Sequence, residues 1–212
     1  MEWITETFNF LAKGGVMMIF ILLASIIGVA IVIERYVFLS KEKASMKKLF
    51  NIAREKIKKG SIRDIIAVCD AENSVSSNIL KTAVEAYLNG ASKEDIENSI
   101  EDISKIELPV LNRYLYLLGT MVTVSPMLGL LGTVLGMIKS TTVLAEKGLA
   151  SPSELLAGIA EALITTAAGL IVAIPLLVLY NYLTNRAQEI IEEIEANVTE
   201  IILTISSTKS IW

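Results

Sequence analysis

The 212-residue sequence predicts an all-α integral membrane protein: three transmembrane helices, a helical cytoplasmic region, and long helices that extend into the cytoplasm. Three observations predict it. First, 53% of the residues are apolar and the mean hydropathy is +0.57, above what soluble domains usually carry. Second, the apolar residues collect in three runs almost free of charge, 14–33, 114–138 and 155–185. A membrane span needs about 20 such residues, and each run supplies them. Third, the positive charge is lopsided. Arg35, Lys41, Lys43, Lys47, Lys48, Arg54, Lys56, Lys58 and Lys59 follow the first run, whereas only Lys13 precedes it and only Lys139 and Lys147 lie between the second and third. Lysine and arginine concentrate on the cytoplasmic side, so the amino terminus is expected outside and the carboxyl tail inside.

The elements follow in chain order. Residues 1–13 read as an amphipathic segment on the outer surface, anchored by Trp3, Phe8 and Phe10. Residues 14–39 form the first span. Residues 40–112 contain no run long enough to cross a membrane and read as cytoplasmic helices broken at Lys59-Gly60, Asn73-Ser74 and Asn89-Gly90. Ser61 with Asp64, and Ser92 with Asp95, have capping-box spacing. Ile96, Ile100, Ile103 and Ile106 make one apolar stripe. Pro109 either opens a helix or kinks one where the second span, 113–140, begins. An outer loop, 141–151, leads to Ser151-Pro152-Ser153-Glu154, a compact helix start. The third span, 152–185, is expected to run on into a cytoplasmic helix, 186–212. From 152 to about 205 such a helix would be roughly 80 Å long. Its tail carries Ile190, Ile194, Val198, Ile201 and Ile205 as a seam suited to helix association, with glutamates around it. Pro126 and Pro175 fall inside spans, where neighbouring helices can satisfy the freed carbonyls. Tyr36, Tyr114, Tyr116, Tyr180 and Tyr182 sit at the span ends expected on the cytoplasmic face.

Composition excludes several functions. A net charge of −4 gives no reason to expect nucleic-acid binding. A single cysteine, Cys69, makes no internal disulfide and fits no metal site, and no cofactor is implied. Histidine is absent, which removes the commonest general base, and no nucleophile–base pair is apparent, so an enzyme is not expected. The first run is too long for a usual signal core, and its amino-terminal flank is not basic, so cleavage is not expected.

Glu161 carries the chemical interest. It is the one carboxylate in the third run, about nine residues and 13 Å into its helix. An ionised carboxylate at that depth is costly, so Glu161 can be neutral in one setting and charged in another, as a proton-binding site requires. The alternative is a structural glutamate that snorkels outward or pairs with a lysine. Thr165 and Thr166 lie one turn further on and Thr133 lies in the second span; their hydroxyls can relay a proton or merely bond their own backbone. Gly129, Gly132 and Gly136 on span two, and Gly158, Ala162, Gly169 and Ala173 on span three, are small faces for close helix packing, within or between chains. Three spans with one acid and a few hydroxyls do not easily enclose a pathway. Several copies in a ring would, and the small faces motivate a homo-oligomer held by spans two and three.

Pro126-Met-Leu-Gly-Leu-Leu-Gly-Thr-Val-Leu-Gly136, followed by Gly158-Ile-Ala-Glu-Ala-Leu-Ile-Thr-Thr-Ala-Ala-Gly-Leu170 and Ala173-Ile-Pro175, resembles the ExbB/TolQ branch of the ExbB/TolQ/MotA proton-channel family. The likeness is close over spans two and three and one of layout elsewhere. It implies a multi-pass protein of the bacterial inner membrane, amino terminus periplasmic. It further implies a pentamer of this chain around a dimer of a single-span ExbD/TolR-type partner with an essential membrane aspartate. Inward proton flow would then energise TonB-dependent transport or the Tol-Pal system, through TonB or TolA. By motif position the family's membrane glutamate falls on Glu161 and its polar threonines on Thr133 and Thr166; Thr165 has no such counterpart. MotA-type proteins have four spans, which argues against a flagellar role. The competing reading is a non-conducting membrane scaffold.

Overall fold

The computed structural model describes residues 14–147 and 152–209, and these are all-helical. The helices are α1 (Met17–Lys58), α2 (Arg63–Glu72), α3 (Val75–Leu88), α4 (Lys93–Glu107), α5 (Leu115–Lys147) and α6 (Pro152–Lys209), with a 3₁₀ turn at Leu108–Val110. The expected amphipathic segment 1–13 and the Ser151 cap lie outside the described residues, although α6 does open with Pro152. The chain divides into two compact units: Met1–Ile33 with Tyr114–Tyr182, and Glu34–Arg113 with Leu183–Trp212.

In the first unit α1 and α6 run parallel, because Gly14 meets Thr165 and Gly28 meets Leu176. Helix α5 runs antiparallel to α6: Gly136 meets Gly158 and Ala162, Gly129 meets Thr166, and Gly119 meets Tyr180. Pro126 and Pro175 are both accommodated within their helices. Large apolar side chains point outward on all three helices, among them Ile26, Leu130, Val134, Ile171 and Val178. Such a surface far exceeds the apolar patches that water-soluble monomers tolerate. Lipid removes the conflict, and continuous helices keep most backbone groups bonded within the segment. Helices α1, α5 and α6 are each long and apolar enough to cross a membrane.

The second unit is built like a soluble helical domain. Leu39, Met46, Leu49, Phe50, Ile65, Ile79 and Leu80 are buried, and the Ile190–Val198–Ile205 seam of α6 is fully covered within the same chain. Lys43 pairs with Glu193 at 2.9 Å and with Glu189 at 3.6 Å, and Arg54 pairs with Glu200 at 2.6 Å, so α1 and α6 again run parallel. The buried Glu42 accepts from Ser76 N at 3.1 Å and Ser76 Oγ at 2.8 Å, which tethers the start of α3 to α1. An anion at a helix amino terminus is favourable. Cys69 is buried, and desolvation pushes its thiol up to about 12.

Helices end at Lys58, Glu72 and Leu88, at the three expected breaks. The capping expectations divide. The Ser92–Asp95 box forms, whereas Ser61–Asp64 does not. Ile62, already in helical conformation, precedes α2, and Asp64 is drawn away into an ion pair with Lys56 at 2.9 Å. A further box, unforeseen in the sequence, joins Ser74 and Ser77 at the start of α3. The apolar stripe of α4 is only partly used: Ile96 is buried but Ile106 is 70% exposed. Pro109 does open a helix at its first turn rather than kink a continuous one, but that helix is the short 3₁₀ turn and not α5. Tyr114, at φ +65°, separates that turn from α5.

Candidate functional site

The site builds up from glycine contacts between α5 and α6. A methyl group added to Gly129 would lie 3.0 Å from the Thr166 Cα; one on Gly136 would lie 3.0 Å from the Ala162 Cβ; and one on Gly169 would lie 2.6 Å from the Ser125 carbonyl oxygen. Substituents on Gly132 and Gly158 would overlap Thr165 and Ser140 respectively. Backbones approach this closely only where side chains are small. All of these contacts lie within one chain. These small faces pair spans two and three within the chain.

Close approach delivers the hydroxyls. Thr166 Oγ1 donates across the helix pair to Gly129 O at 3.1 Å and lies 3.4 Å from Thr133 Oγ1. Thr133 Oγ1 itself donates to Leu130 O at 2.5 Å. Thr165, 1% exposed, is packed on Gly132 and donates back to Ala162 O at 2.8 Å. Thr133 and Thr166 are thus brought together, and Thr165 is a packing residue.

Glu161 stands on a different side of α6. Its Oε2 accepts from Lys139 Nζ at 2.9 Å, and its Oε1 rests against Gly15, where an added Cβ would overlap it. Gly15 has φ +63° and lies at the turn that opens α1, so a side chain there would be both strained and blocked. Among the described residues no hydrogen bond joins Glu161 to Thr133 or Thr166, so the three do not form one continuous bonded chain. A cavity of about 200 Å³ opens between α1, α5 and α6, with Glu161 and Lys139 as its ionisable lining. The alternative that Glu161 pairs with a lysine is met by Lys139, a partner the sequence did not single out, and sequence reasoning missed Gly15 and Ser140 as neighbours of the site. Lys139 could have been found only as the lysine that closes the second apolar run, since a 22-residue separation carries no periodic signal. No cluster able to hold a metal ion occurs among the described residues.

Three helices long and apolar enough to cross a membrane define a multi-pass membrane protein, with the Glu161 carboxylate and the Thr133–Thr166 hydroxyls set among them. Residues 71–196 match the MotA/TolQ/ExbB proton channel family, and the chain belongs to that family. It is 33% identical over 171 residues to the ExbB-like 3 biopolymer transport protein of Synechocystis sp., covering 79% of this chain and 80% of that one. It is 38% identical over 117 residues to biopolymer transport protein ExbB of Aquifex aeolicus, 55% of this chain and 77% of that one. With biopolymer transport protein ExbB of Salmonella typhimurium it shares 31% identity over 176 residues, 77% of this chain and 70% of the relative. The likeness supports the ExbB branch, a transport family and not an enzyme family.

Proposed function

We propose that this chain is the multi-copy subunit of an inner-membrane proton channel that harnesses the proton-motive force, working with a single-span ExbD/TolR-type partner to energise TonB-dependent transport or the Tol-Pal system. Residues 14–39, 113–140 and 152–185 are its spans; 40–112 and 186–212 are cytoplasmic. Copies assemble as a ring, a pentamer in the family. The observation that carries the reading is Glu161: a carboxylate one quarter exposed, packed between three apolar helices, in a chain of a proton channel family. Intramembrane acids are expensive and are retained chiefly for function.

The mechanism follows from charge. One elementary charge crossing 100 mV yields about 2.3 kcal/mol, a few times thermal energy, so work requires repeated steps. Glu161 must therefore interact differently with the partner helix in successive states, because equal preference shifts nothing. Neutral Glu161 lets an apolar partner helix pass; ionised Glu161 holds it. The Thr133–Thr166 hydroxyl pair supplies a polar step on the neighbouring side of α6. One observation favours a second reading: the Lys139 ion pair is also what a static strut in a non-conducting scaffold would contain. Glu161→Gln separates the two. In complementation of a deletion strain, with assembly assayed on the same membranes, a proton carrier loses function while still assembled, and a scaffold retains it.

A further inference from the structure

Glu161 has its counter-charge in the same chain. Lys139 Nζ contacts Oε2 at 2.9 Å, from the last exposed turns of the apolar part of α5. The two partners differ in environment: the Glu161 side chain is 25% exposed, the Lys139 side chain 68%. Gly15 closes the other side of the carboxylate. The nearby hydroxyls go to backbone carbonyls and not to the carboxylate: Thr165 to Ala162 O at 2.8 Å and Glu161 O at 3.3 Å, and Thr166 to Gly129 O. A carboxylate surrounded by apolar helices can be neutralised in two ways, by a proton or by a cation, and here a tethered cation already occupies the second role.

Building on the proposed function, we infer that Lys139 is a latch: a positioning residue whose ammonium holds Glu161 ionised and turned toward α1 at rest, and leaves for water when Glu161 takes up a proton. The exchange balances. The ion pair plus one proton gives a neutral carboxylic acid and a free ammonium, so the site passes from net zero to +1, and the added charge resides on the group that water can reach. The exposure of Lys139 allows that departure; a lysine buried as deeply as its partner would have nowhere to go. The latch has two consequences. It suppresses idle proton uptake when no partner helix is positioned to receive Glu161. It also fills the position from which an alkali cation would bind the carboxylate, so the site accepts protons in preference to sodium.

The test uses the full chain co-purified with its membrane partner and reconstituted in liposomes. Resting proton leak is measured for wild type, Lys139→Met, Lys139→Gln and Lys139→Arg. The Glu161 carboxyl bands are read by infrared spectroscopy as the difference from Glu161→Gln in each background. The latch predicts that both neutral variants raise resting leak about tenfold, within the range of coupling between two residues in contact. They should also convert the ionised carboxylate band to the protonated one, while Lys139→Arg stays close to wild type in both. Unchanged leak and unchanged bands in the neutral variants overturn the latch. So does failure of both neutral variants to assemble with rescue by arginine, which would mark Lys139 as a structural strut. Either result is separable from failure of the proposed function, which is signalled by activity of Glu161→Gln alone.

Discussion

Gly132→Ala is the sharpest probe of how the two central helices meet. The added Cβ would overlap Thr165 Oγ1 and lie 2.6 Å from its Cβ and 3.1 Å from its Cγ2. Thr165 cannot yield easily. It is 1% exposed and its hydroxyl is bonded to Ala162 O. Either α5 and α6 separate locally, losing the Gly129 and Gly136 contacts, or Thr165 leaves its rotamer and its hydrogen bond. Overpacking of this kind costs about 1–3 kcal/mol. Leu130→Ala, at a position 63% exposed on the outward face, should cost well under that. The assay is reversible unfolding of the purified chain in mixed detergent micelles, with helicity as the signal. Thr165→Gly removes all three obstructing atoms, so the double variant should cost less than the sum of the singles by at least about 1 kcal/mol. Strict additivity would refute the reasoning and mean that Gly132 faces something other than Thr165.

Three further outcomes follow from the second unit. Ser74→Ala should destabilise it by about 1 kcal/mol because the Ser74–Ser77 box is formed, whereas Ser61→Ala should change nothing measurable in the same thermal melt. The Cys69 thiol, raised to about 12 by burial, should resist maleimide at neutral pH until the unit unfolds. The same shift has a signed effect on stability. Above pH about 9 the unfolded thiol loses its proton and the folded one keeps it, so the unfolded state binds fewer protons and stability falls as pH rises toward 12. A Cys69→Ala variant should lack that alkaline decline.

What could be read in the sequence depended on whether the signal was local. The three spans were legible because run length and absence of charge are properties of one segment at a time. The Ile190–Ile205 seam was legible as an apolar face for the same reason, and it is buried. The breaks after Lys58, Glu72 and Leu88 follow from Asn and Gly in conformations with little penalty: Gly60 and Gly90 have φ +72° and +80°, and Asn73 is left-handed at φ 44°. Caps were only half legible. Residue type allowed Ser61, but a cap also needs an extended backbone before the helix, which Ser74 and Ser92 have and Ile62 lacks. The small faces were visible, while their partners were not, because the register between helices leaves no trace in a periodic pattern. For that reason Gly132 against Thr165 and Gly158 against Ser140 had to come from the fold. The Lys139–Glu161 pair is of the same kind. Nothing in the structure explains the exposure of Ile106.

The central claim is that Glu161 carries protons. It is tested most directly by proton flux through liposomes holding the assembled complex of this chain and its single-span partner, with wild type and Glu161→Gln compared at equal assembly. The substitution keeps the size of the side chain and one oxygen able to accept from Lys139, and removes both the charge of the ion pair and the capacity to take up a proton. The account predicts an assembled Glu161→Gln complex with driven flux reduced to the background of empty liposomes, and with Thr166→Val slowed but conducting. Full driven flux through an assembled Glu161→Gln complex would contradict it.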